Sequence, residues 1–207
     1  MKKIAAFLCV LAAAGTFAYA QNSAMSAGGG SLFSMSFASP GGSQEVTLQE
    51  IDSGVFIFFD AAYIEASVNI YRGTYKYTDT GGSDTLSQTN LGLAIFGKYP
   101  IDLGGITFFP LLGFESQVCI TTTQPYNFSV AAPNFNALWF KAGLGCDYSL
   151  CEKLYLRTEI LFGRKLNNSI EKEILKDNSP GVISFFMPGK KSFMSGPTVK
   201  IGVGCRL

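Results

Sequence analysis

Histidine is absent from all 207 residues, and tryptophan occurs only once. Without an imidazole, activating a nucleophile at neutral pH would require a perturbed carboxylate or lysine, and no Ser or Thr stands beside one in the sequence. Metal binding is weakened by the same absence. A soft site would have to come from Cys119, Cys146, Cys151 and Cys205, which share no short paired spacing. No catalytic residue, cofactor site or metal site is expected, and the chain reads as a non-enzyme. Charge is also scarce, at 15% of residues against about 25% in ordinary soluble domains. Beyond the first twenty residues no apolar run approaches the ~18 needed for a membrane helix, so a helical membrane protein is excluded.

The first twenty residues are a different matter. Lys2 and Lys3 form a basic start, Ile4 to Ala14 an apolar stretch too short to span a bilayer, and Ala18-Tyr19-Ala20 a small-x-small cleavage site. A cleaved export signal over 1–20 is expected, with the mature chain beginning at Gln21. Cys9 lies within the apolar stretch, has no lipobox context and leaves with the signal. Removing Lys2 and Lys3 from the 16 basic residues leaves 14 against 15 acidic ones, a formal charge of −1 that gives nucleic acid nothing to bind.

What the remaining 187 residues have in abundance is glycine, aromatics and alternation. Eight segments show period two, at roughly 31–38, 51–59, 63–77, 85–97, 106–120, 134–148, 154–163 and 195–207. In the third, Ile64, Ala66, Val68 and Ile70 share one face while Glu65, Ser67, Asn69 and Tyr71 share the other. The seventh sets Leu154, Leu156, Thr158, Ile160 and Phe162 against Tyr155, Arg157 and Glu159. Polar faces made of Gly, Ser, Asn, Gln and isolated charges suit a tight interior, and the apolar faces suit lipid. By parity, Phe59, Phe108 and Tyr148 point outward near one rim, and Phe37 and Phe162 near the other. A soluble sandwich alternates too, and would read these aromatics as core. The connections favour a membrane barrel. Short ones at 60–62 and 149–153, with a somewhat longer one at 98–105, alternate with segments near 39–50, 78–84, 121–133 and 164–194 on the opposite side, as short inner turns alternate with longer outer loops. In the longest, Asn168 to Lys176 has an Asn cap, Glu171 and the Ile170/Ile174 pair of a short amphipathic helix, with a solvated loop as the alternative.

A basic side chain facing lipid at the midplane costs about 2 to 4 kcal/mol, so strand charges should point inward and pair. Parity puts Glu65, Glu115, Asp147 and Glu159 with Lys141, Arg157, Lys200 and Arg206 on the polar face, Asp147 and Arg206 falling near rims. Cys146 and Cys151 flank one short turn, and Cys205 ends a strand on that side. In an oxidising compartment one disulfide among these three is a reading to test beside free thiols.

The pattern over the whole mature chain resembles the small eight-stranded outer-membrane barrels, the class that includes the OmpA transmembrane domain, OmpX and the OmpW family. The closing Lys200-Ile201-Gly202-Val203-Gly204-Cys205-Arg206-Leu207 resembles their C-terminal assembly signal, with Lys200, Gly202, Cys205 and Leu207 at its key positions and Leu207 in place of the usual aromatic. The resemblance implies an all-β, up-and-down antiparallel barrel over 21–207, monomeric, in contact with outer-membrane lipid and with the barrel-assembly machinery during biogenesis. It implies an interior ion-pair network that fills the lumen, hence an anchor or surface-interaction protein. The alternative is a narrow channel, or lateral release of small apolar solutes as in OmpW. Inward Phe56, Phe58, Phe109, Leu111 and Trp139 motivate that alternative.

Overall fold

The computed structural model describes residues 25–38, 47–79, 82–123, 136–167 and 195–207. The expected signal, the start at Gln21 and the expected helix at 168–176 lie outside the described residues. The strands are β1 (Met25–Ala38), β2 (Thr47–Ala61), β3 (Ile64–Asp79), β4 (Gly82–Lys98), β5 (Ile101–Asp102), β6 (Ile106–Thr123), β7 (Ala137–Ser149), β8 (Leu154–Lys165) and β9 (Ser195–Arg206). β5 pairs only with the foot of β6, inside a turn. The other eight are all antiparallel to their neighbours; β9 pairs with β1 and β4 with β6, which closes an eight-stranded barrel and leaves no open edge.

The stagger of the strands sets the bore. From Ala27, the register passes through Phe59, Ala66, Ile95, Phe114, Phe140, Arg164 and Ser195 and returns to β1 at Phe37, ten residues above its start. With ~3.3 Å per residue and ~4.8 Å between strands, this stagger means a tilt of about 40° and a backbone diameter of about 16 Å. Side chains can fill such a bore.

Short turns gather at one end with both β1 and β9 termini. The β2–β3 turn is Ala62-Tyr63, with Ala62 in the left-handed region at φ 47°. Below β5, Gly104 and Gly105 both take positive φ, and the Leu103 amide donates to the Ile106 carbonyl at 2.9 Å; glycine suits such a primed turn. Several boundaries differ from the sequence expectation by a few residues, two of them informatively. β1 begins at Met25, because Gly28-Gly29-Gly30 extends the strand although glycine weakens the strand signal. Asp60 and Ala61 belong to β2, leaving a two-residue turn.

The alternating faces sort as apolar outside and charge inside. Leu144 is 66% exposed on the outer wall and Ile57 64%, whereas Glu65 and Glu159 inside are fully buried. The outward apolar run on β7 from Leu138 to Tyr148 spans about 25 Å along the axis at that tilt, the height of a membrane barrel's apolar band. Of the aromatics expected at the rims, Phe37, Phe108, Tyr148 and Phe162 are exposed there, and Phe59 is half-buried. Inside, glycine lets rings lie flat on the wall. The Phe109 ring covers its cross-strand partner Gly145, and Tyr155 covers Gly204, where a Cβ would meet the rings at 2.1 and 2.2 Å.

The lumenal charge network as candidate functional site

Arg157 projects from β8 into the turn-side half of the lumen and is fully buried. Its Nε and Nη2 donate to the two carboxylate oxygens of Asp147 at 2.7 Å each, a bidentate pair to the neighbouring strand. Nη1 donates to Glu65 at 3.0 Å, Nη2 also donates to Asp60, and Glu159 stands 3.9 Å away. The guanidinium lies 4.1 Å from the centre of the Phe58 ring, with Phe109 and Tyr155 at 5.0 and 5.3 Å. One planar cation thus joins carboxylates from β2, β3, β7 and its own strand. Arginine suits this role better than lysine, because its five donors are fixed in a fork and its faces stack on rings.

Two lysines extend the cluster. Lys98 bonds Asp60 at 2.7 Å and lies over Phe109. Lys200 sits 3.4 Å from Glu159 and 3.9 Å from Glu65, donates to Ser67 at 3.3 Å, and lies between the Phe56 and Phe96 rings. Nearer the loop side, Lys141 pairs with Glu115 at 2.9 Å and donates to Thr198, while Tyr71 donates to the other Glu115 oxygen at 3.3 Å. Trp139 donates to Gln117 at 2.7 Å, and Gln88 donates to Glu50.

All six residues expected to form the interior network, Glu65, Glu115, Lys141, Arg157, Glu159 and Lys200, therefore face the lumen and are buried. They form two groups: Glu115–Lys141, and the set around Arg157. Asp147, expected at a rim, is instead buried against Arg157. Arg206 stays outside the network. It donates to the Glu152 carbonyl and the Ser149 hydroxyl and stacks on Tyr155, clamping the β7–β8 turn. The sequence reading missed Glu50, Asp52, Asp60, Lys98 and Lys165, all inward. Their signal was parity: Glu50, Asp52 and Asp60 alternate in phase with Phe56 and Phe58. The count changes accordingly, from four acids against four bases to seven acids against Lys98, Lys141, Arg157, Lys165 and Lys200.

Both halves of the lumen hold buried acceptors without a hydrogen bond, and they differ in what lies beside them. At the Arg157 level these are oxygens of Asp60, Glu65 and Glu159, and those of Glu65 and Glu159 stand 3.4 to 3.9 Å from Arg157 or Lys200. On the loop side, Asp52 Oδ1, Asn69 Oδ1 and both amide atoms of Asn90 are buried without a hydrogen-bond partner. A cavity of about 10 Å³, the space open to the centre of a water molecule, is lined there by Asp52, Asn69, Tyr71, Glu115, Lys141 and Thr198 among others. One water fits, and the orphaned acceptors could receive its protons.

The order of strands removes one of the three pairs in the disulfide reading, Cys146 with Cys205. In this structure Cys119, Cys146, Cys151 and Cys205 are unbonded. Cys146 and Cys205 point outward from β7 and β9, with β8 between them, so they stand at least about 9 Å apart, beyond the ~7 Å between Cα atoms that a disulfide tolerates. Cys151 is exposed in the turn, where the Leu154 and Lys153 amides hold its thiol below the ordinary range. In folded protein a water-soluble maleimide should modify Cys151 first and the three strand cysteines far more slowly. Mass mapping after brief labelling checks this, and equal labelling of Cys119 and Cys151 would contradict the burial of Cys119 inside the wall.

An apolar exterior, a closed eight-stranded antiparallel wall and a buried ionic interior together are the fold of the small outer-membrane β-barrels. No protein-family model and no curated protein sequence matches the chain. Among solved structures, the outer membrane protein OprG from Pseudomonas aeruginosa superposes with a TM-score of 0.54 at 11% identity, over 89% of this chain and 96% of that one. The translocator domain of the autotransporter NalP from Neisseria meningitidis gives a TM-score of 0.35 at 11% identity, over 100% of this chain and 98% of the other. The OprG likeness is one of fold.

Proposed function

We propose that the protein is an integral barrel of a bacterial outer membrane, exported by a cleaved signal, that serves without catalysis as a rigid anchor for its loops. The closed cross-section at Arg157 carries this reading. Three cations, four carboxylates and the Phe58, Phe96, Phe109 and Tyr155 rings occupy a bore of about 16 Å at that level, and eight strands suit a lumen filled by side chains. In the same reading, Lys200, Gly202, Cys205 and Leu207 serve as the assembly signal, lipid and the assembly machinery are the partners, and the barrel works as a monomer.

The loop-side polar atoms without partners favour one second reading, a narrow channel whose turn-side ion cluster opens. The inward aromatics favour transport less than their sequence suggested. Phe56, Phe58 and Phe109 lie against Lys200 and Arg157, so they are used as faces for cations. In a planar bilayer the wild-type protein should pass no steady current. Glu159→Ala removes the nearest acid of Lys200 and should raise conductance or lower stability. Large, stable wild-type currents would replace the anchor with the channel.

A further inference from the structure

The two edges of the apolar band carry different charge. At the turn side, Tyr63, Tyr99 and Tyr148 accompany charges of both signs, Asp102, Glu152 and Lys153. At the loop side, β3 continues outward past Ile70 with Arg72, Thr74 and Lys76, all exposed. Arg72 is flanked across the sheet by Ser53 and Thr89, and Thr74 by Ser87, so hydroxyls surround the cations on a wall otherwise built for lipid. No acid faces outward at this edge among the residues whose side chains are described, and neither Arg72 nor Lys76 forms an ion pair there. Most interior charges in this protein are paired, among them Asp60, Glu65, Glu115, Asp147 and Glu159. Two cations without an ion pair among the described residues, on the outside, at the level where hydrocarbon gives way to headgroups, are placed to meet an anion of the headgroup layer.

We propose that this outer face of β2–β4 holds a phosphate-bearing lipid headgroup, with Arg72 gripping phosphate at the band edge, Lys76 about 13 Å further along the strand, and the neighbouring hydroxyls donating to headgroup oxygens. Arginine at the band edge fits this, because its fork matches phosphate oxygens while its stem lies against acyl chains. Lipid is the source because the cations continue the lipid-facing wall and sit outside the lumen.

The inference rests on the membrane reading, and the test separates them. Purified barrel is reconstituted in zwitterionic lipid; failure to insert and show heat-modifiable migration would end the membrane reading itself. Inserted protein is then titrated with a phosphorylated glycolipid, with its dephosphorylated counterpart and with inorganic phosphate, reading retained lipid by native mass spectrometry. The phosphorylated lipid should bind preferentially, and Arg72→Ala with Lys76→Ala should weaken it by roughly tenfold or more, while Arg72→Lys keeps most of it. Heat-modifiable migration of the double variant confirms that it is folded. Equal binding by the folded double variant, or by the dephosphorylated lipid, would overturn the proposal. So would inorganic phosphate competing at equal concentration, since the site would then be for a free anion.

Discussion

Arg157→Ala should lower barrel stability by roughly 3 to 5 kcal/mol, because it strands buried carboxylates in a space that water enters poorly. The distribution of partners shows where the loss falls. Asp60 keeps Lys98, and Glu65 and Glu159 keep Lys200, but Asp147 loses both of its bonds to Arg157. The Phe58 ring loses its cation as well. With a urea dependence of about 1 to 3 kcal/mol per molar, the unfolding midpoint in lipid vesicles should fall by at least about 1 M. Arg157→Lys should fall between the two, since an ammonium keeps the charge but cannot reproduce the fork on Asp147. Lys141→Met combined with Glu115→Gln removes both members of a separate pair and should cost much less. An unchanged midpoint in Arg157→Ala would mean that water screens the cluster, and the closed cross-section would go with it.

How far this arrangement can be read from sequence depends on the element. Period two is set by the pleat, so segments such as 63–77 and 154–163 announced both their existence and their faces, and the charge on each face then followed from the cost of exposing it to lipid. Parity placed Glu65, Arg157 and Glu159 in the lumen. It could not say that Arg157 would gather Asp60, Glu65 and Asp147, because that meeting depends on the ten-residue stagger, which belongs to the closed barrel. Asp60 was masked by its position at a turn, a place where Asp is ordinary. Gly28 to Gly30 concealed the start of β1 for the opposite reason: glycine reads as a break, yet beside the Phe58 ring and the β9 backbone there is no room for a side chain at Gly28. Cysteine spacing misled through topology. Cys146 and Cys205 look like neighbours at one rim, and only the order of strands shows β8 between them. Lys98 shows the same limit, since its place beside a turn gave no hint of its bond to Asp60.

Deleting residues 200–207 should abolish stable insertion, the largest effect expected of any change here. β9 is the closing strand, pairing Lys200 through Arg206 with Leu32 through Ser26 on one side, and Lys200 through Cys205 with Glu159 through Leu154 on the other. Without it, β1 and β8 each present a row of backbone groups to hydrocarbon, and each unsatisfied group costs a few kcal/mol. Two such rows exceed the ~5 to 15 kcal/mol by which folded proteins are ordinarily stable. The truncation also removes Lys200, leaving Glu159 with only the distant Arg157, and Arg206, which ties down the β7–β8 turn. A substitution at the end alone should behave differently. Leu207 is 75% exposed, and its described bond is a backbone one to the Met25 carbonyl at 2.9 Å, which any residue but proline can make. Leu207→Phe should therefore insert as well as wild type or slightly better. Membrane yield and heat-modifiable migration, measured side by side for both variants, decide the matter. A truncated chain that still migrates as a folded barrel would show that β1 and β8 can close without β9, and that the register at this seam does not hold the wall together.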